Sequence, residues 1–154
     1  MTNQAIQDVD WYQTVVTDPQ NLSGHSVSEF LRPLIHRVAA TAVIAADLQG
    51  AGISELKATE GRVLSCDDFL PKVERATQYD WAFFFFYTKH PTPQEADVSD
   101  LTAAIQKALV TVRLVDDQYF YVYGRDQDFM NDLRLHYPQA EFRASKFSGL
   151  DVPY

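Results

Sequence analysis

Trp81, Ala82, Phe83, Phe84, Phe85, Phe86 and Tyr87 follow one another without a formal charge, and six of the seven are aromatic. Alternate side chains of a strand point to opposite faces, so a run that is apolar at every position predicts a β-strand buried on both sides. Asp80 marks one end of it, and Lys89, His90 and Pro91 the other. Such a strand belongs at the centre of a sheet, with helices above and below.

Helical spacing dominates the first third of the chain. Ile6, Val9 and Tyr12 predict a short helix over 3–16, ended by Asp18-Pro19 because the residue before proline avoids the helical region. The segment 1–24, with Asp8, Asp10 and Asp18 and no Lys or Arg, reads as an acidic N-terminal helix or arm. Ser26 and Glu29 have the spacing of a capping box. Val27, Phe30, Leu31, Leu34, Ile35, Val38, Ala42, Ala45 and Leu48 then recur at three and four, predicting an amphipathic helix over 27–48, with Pro33 as its flaw and Gly50 and Gly52 as its stop.

Further on, Val63 to Cys66 reads as a short strand. Asp67 and Asp68 open a helix running to Tyr79, with Pro71 near its start. Strand, helix and the 81–87 strand in close succession predict a parallel β-α-β crossover. Prolines 91 and 93 make 89–97 a loop. Leu101, Ala104, Ile105, Ala108 and Leu109 define a helix over 98–110.

Residues 111–123 predict a β-hairpin turning at Asp116 and Asp117, and without glycine the turn should be bulged or longer than a tight pair. A helix from Asp126 to Tyr137, stopped by Pro138, a strand over 140–144 and an irregular tail over 147–154 complete the chain. The sum is one α+β domain spanning 1–154: a mixed sheet of about five strands covered by helices.

Composition adds a bias to this frame. Asp and Glu number 21 against 13 Lys and Arg, a net charge of −8. Phosphate backbones and anionic lipid surfaces repel such a chain, while a basic protein is attracted and steered to it. Nucleic acid and membrane are therefore not the expected partners. Cys66 is the single cysteine, which excludes an intrachain disulfide, and residues 1–8 have no basic-then-apolar leader. A reducing, cytoplasmic setting is the expectation.

Chemistry is sparse. His25, His36, His90 and His136 form no i,i+4 pair, and no metal or cofactor motif appears. Gly50 and Gly52 lack the third glycine of a dinucleotide loop. Asp126 and Asp128 lack the later ligands of a calcium loop, and helix-start acids explain them. Cys66 after an apolar run reads as a buried small hydrophobe.

One pattern points outward. Tyr119, Tyr121 and Tyr123 share one face of the second hairpin strand, with Phe120 and Val122 on the other. Tyrosine supplies rigid, amphipathic contact area at low entropy cost. With Asp116 and Asp117 at the turn, the hairpin offers a face for a basic, partly apolar partner. The expected function is a non-catalytic binding module, an inhibitor or immunity-type protein that neutralises a basic toxin or nuclease. The alternatives are a small enzyme in which His36, His90 or His136 works with a carboxylate distant in sequence, a secretion-chaperone-like protein, and a homodimeric structural protein. A pocket holding two of those histidines and an acid would favour catalysis.

Overall fold

The computed structural model describes residues 11–152. Its framework is one seven-stranded sheet built from β1 (Trp11–Thr17), β2 (Ala42–Ala51), β3 (Val63–Ser65), β4 (Gln78–Tyr87), β5 (Val110–Val115), β6 (Tyr119–Gly124) and β7 (Glu141–Ser145). The spatial order is β3-β2-β4-β5-β6-β1-β7, and every neighbouring pair is antiparallel. The architecture is α+β as expected, but the sheet has seven strands rather than about five, and no parallel neighbours.

The two additional strands lie where helix was expected. Trp11–Thr17 is β1, since Thr14, Val15, Val16 and Thr17 are β-branched and lose side-chain freedom in a helix. The earlier part of the expected 3–16 helix lies outside the described residues. The helix expected over 27–48 divides in two: α1 spans Gly24–Val38, and the chain re-emerges as β2 from Ala42. Between them Ala39 adopts a left-handed conformation (φ 55°), its N–H and that of Ala40 closing the helix onto His36 and Ile35. Residues Ala42 to Ala46 are buried on both faces, so they carry no alternation by which to tell strand from helix.

The start of α1 is also shifted. Ser23, not Ser26, is the N-cap: its hydroxyl accepts from the Ser26 N–H (3.1 Å), and the Ser26 hydroxyl accepts from the Ser23 N–H (2.9 Å). Pro33 lies within the helix on its exposed side and does not end it.

Two further helices are short, α2 (Ser54–Lys57) and α3 (Cys66–Glu74); Cys66 thus opens α3, capped by Ser65, rather than closing β3. Both β3 and β4 pair antiparallel with β2, so they run in the same direction. The expected crossover neighbours are nevertheless separated by β2 itself.

β4 is central, flanked by β2 and β5. Phe84 and Phe86 face a core formed with α1 and α3 and with α5 (Gln127–His136), where Phe69 packs edge-on against both rings. Phe83, Phe85 and Tyr87 face the other way, under α4 (Leu101–Lys107) and the segment from Phe147 to Val152. Phe84, Phe85 and Phe86 are each 0% exposed, and burying one such ring is worth about 1.5–3 kcal/mol.

Candidate functional site

The β5–β6 turn is held by its neighbours as well as by itself. Asp116 and Asp117 both lie at positive φ (57° and 51°), a region that aspartate tolerates better than most residues. The register pairs Val115 with Tyr119, leaving three residues in the turn. The N–H of Gln118 donates to Val115 O (3.2 Å), that of Asp117 to Asp80 O (3.2 Å), that of Leu22 to Asp117 O (2.9 Å) and that of Asp18 to Gln118 O (2.8 Å). The Gln78 amide donates to both Asp80 Oδ1 (2.9 Å) and Asp117 Oδ2 (3.3 Å). Asp117 thereby belongs to the scaffold of the turn, while Asp116 is exposed.

On the sheet face shared with α4, the ladder sets side chains in rows. The row nearest the turn runs Trp81, Val115, Tyr119, and the next runs Phe83, Arg113, Tyr121, Val15. A third runs Phe85, Thr111, Tyr123, Gln13, and it is fully covered.

The three tyrosines consequently have three different environments. Tyr123 is 1% exposed, its hydroxyl donating to the Asp151 carbonyl and its ionisation pushed up to about 12 by burial. It lies beneath the C-terminal segment, which Gln13 fastens by accepting from Asp151 N–H (2.7 Å) and donating to Asp151 Oδ2 (3.0 Å). Tyr121 is half-buried and its pKa is raised, first by desolvation and then by the Asp151 charge. Tyr119 is half-buried at the open end of the face.

Arg113 lies among these rings. Its guanidinium sits 5.3 Å from the Phe83 ring centre and 5.8 Å from that of Tyr121, a cation–π arrangement. Nη1 donates to Tyr123 Oη and Asp151 O, both at 3.4 Å.

Trp81 joins the site although the sequence places it in a core strand. Half-buried, it stands opposite Val115 on one side and Gln49 on the other. β2 bulges here, with Asp47 at φ 51° and the register shifting between Ala46 and Gln49. The bulge places Gln49, which donates to Asp47 Oδ1 (3.2 Å), beside the indole.

Aromatic row and carboxylates thus meet at one end of the sheet. Asp18, Asp47, Asp80, Asp116 and Asp117 all lie there, and none has an ion-pair partner among the described residues.

Two of the three candidate catalytic histidines come together elsewhere. His36 on α1 and His136 on α5 line a groove of about 260 Å³, with Arg37 and Asp132 also at its rim. His90 is exposed in the loop after β4, apart from them. The Asp132 carboxylate is occupied by Arg37 Nε. His136 Nδ1 donates instead to the Asp132 backbone carbonyl one turn earlier (3.0 Å). Among the described residues neither imidazole is wired to a carboxylate, so no base–acid pair of the kind general-base catalysis uses is formed there.

Cys66 is buried and its thiol is pushed up to about 11, by desolvation and then by Asp67. That opposes the thiolate form a nucleophile needs. Among the described residues no group of three or more His, Cys, Asp or Glu is placed to hold a metal ion, and no helix is long and apolar enough to cross a membrane. Comparison with protein-family models, with curated proteins and with solved structures found no match.

Proposed function

We propose that this chain is a non-catalytic binding protein of the inhibitor or immunity type, which engages a basic protein such as a toxin or nuclease. The contact surface is the open end of the α4-side face: Trp81, Val115, Tyr119 and the outer part of Tyr121, with Asp116 and Asp47 at the rim. One observation supports it above the others. Half-buried aromatic side chains stand in a row beside five carboxylates that no cation of the described chain neutralises. Aromatic anchors inside a charged rim are the usual composition of a hot spot, and unpaired surface charge of one sign accelerates encounter with the other. Tyr123 and Asp117 support this surface from behind.

The enzyme reading has the meeting of His36 and His136 in its favour. It ranks second because the nearest carboxylate is already paired with Arg37.

The test is site-specific photo-crosslinking in lysate of the native host, with a photoreactive phenylalanine at position 119 and a control at position 135. The expected product is a basic protein captured from position 119 only, competed away by unlabelled protein and weakened by salt. With that partner purified, Trp81→Ala costs about 2 kcal/mol or more of affinity. Capture of an acidic protein, or equal capture from both positions, would remove this face from consideration.

A further inference from the structure

We infer that the groove between α1 and α5 is a binding site for a short amphipathic carboxylate, a small molecule with an apolar body and one anionic end. The groove lies on the sheet face opposite the Trp81–Tyr119 row, so the inference stands independently of the proposed partner surface.

Its floor is apolar. Phe30 and Leu34 come from α1, Phe129 and Leu133 from α5, and all four belong to the core beneath the helices. Two contacts bridge the helices: Phe30 meets the ring of Tyr137 with centres 5.4 Å apart, and Arg37 pairs with Asp132. Between them remain about 260 Å³ of open space. Pockets for drug-sized ligands run to roughly 300–1,000 Å³, so the occupant is smaller than these.

The rim carries the sign of the charge. In a protein of net charge −8, this lining sets one guanidinium, Arg37, and the imidazoles of His36 and His136 around a single carboxylate, Asp132. That carboxylate is paired with Arg37, whose Nε is the guanidinium atom nearest to it; among the described residues no hydrogen bond holds the guanidinium to any other group, and its Nη edge can meet a second acceptor. The His36 imidazole has no hydrogen-bond partner among the described residues. With Nδ1–H of His136 donated to a carbonyl, Nε2 of the neutral ring is an acceptor that meets water, which leaves Arg37 as the donor for a carboxylate. An apolar floor alone would accept an alcohol as readily as an acid; the guanidinium edge is what selects the anion.

Amide chemical-shift titration with octanoate, octan-1-ol and octylamine tests the assignment on the intact chain. Octanoate should shift resonances of 30–37 and 129–137 in a saturable manner, while the alcohol binds at least about tenfold more weakly and the amine not at all. The two members of the ion pair should act in opposite directions. Arg37→Gln weakens octanoate about tenfold, the loss of one charge-assisted pair. Asp132→Asn leaves binding unchanged or tighter, since it removes a competing acceptor. Equal weakening by both substitutions would mark the pair as scaffold only and overturn the inference. Octan-1-ol binding as tightly as octanoate, or shifts confined to other elements, would do the same on the unmodified protein.

Discussion

Tyr79, Tyr87 and Tyr123 solve one problem in one way: each ring is buried, and each hydroxyl donates to a backbone carbonyl, of Val73, Glu95 and Asp151 respectively. Burial disfavours the phenolate, raising Tyr87 and Tyr123 to about 12 and Tyr79 in the same direction. The sign follows from linkage. A folded-state pKa above the ordinary value of about 10 gives stability that is complete below pH 10 and is lost as pH rises through the folded value. Melting temperature should therefore be insensitive to these groups at neutral pH and fall between about pH 10 and 12. Tyr123→Phe should cost about 1 kcal/mol at pH 7 and flatten the alkaline fall in thermal melts. An unchanged fall in both Tyr87→Phe and Tyr123→Phe would assign it to other groups. The same buried hydroxyl explains why three tyrosines of identical spacing cannot all meet a partner. Spacing assigns them to one face, but only the path of the C-terminal segment decides which of them is covered.

One close backbone passage and one left-handed residue set the two ends of α1. A Cβ at Gly24 would lie 2.3 Å from Ala76 O and 2.4 Å from Glu74 O, so Gly24→Ala must push α1 away from the end of α3. A loss of about 1–3 kcal/mol is expected in chemical denaturation. Ala39 presents the opposite case, an alanine at φ 55° ending α1, where glycine bears no Cβ penalty. Ala39→Gly should raise stability by about 1 kcal/mol; a loss would mean that the freedom gained by the unfolded chain outweighs the relief of strain. The same turn explains how far the elements were legible. The hairpin, α5 and β7 could be read from alternation, caps and prolines, and the existence of β4 and α4 from their apolar runs. The bounds could not: the helix expected over 98–110 is confined to Leu101–Lys107, and the one expected to reach Tyr79 ends at Glu74 so that β4 begins at Gln78. β2 could not be read, because Ala42, Val43, Ile44, Ala45 and Ala46 continue the spacing of α1 and the break at Ala39 carries no glycine. Nor could Trp81 be recognised as surface, because its uncovering depends on the bulge at Asp47 in a different strand. The α1–α5 groove joins residues about a hundred positions apart, and no local pattern announces it.

At the scale of the whole molecule, charge and core are arranged in different directions. The core is thickest at the middle of β4, so Phe84→Asp should leave no cooperatively folded, soluble protein in expression and circular dichroism trials. Among the described residues, five carboxylates without an ion-pair partner gather at the turn end of the sheet, a local concentration of negative charge. Association with a basic partner should accordingly slow as salt rises past the level where screening reaches about 10 Å, near 0.1 M. Asp116→Asn should lower the association rate at low salt more than it changes dissociation, measured by stopped flow. The sheet order also has a consequence for the birth of the chain. β1 lies between β6 and β7, so the first described strand to leave a ribosome hydrogen-bonds only to strands made about a hundred residues later. Until then Val15 and Val16 have no cover and the β1 backbone has no ladder, while β2, β3, β4 and β5 can already pair in order. A circular permutant that begins at β2 and carries β1 and α1 after β7 brings β1 close in sequence to both of its partner strands, and faster refolding than the parent chain in stopped flow is the expected outcome.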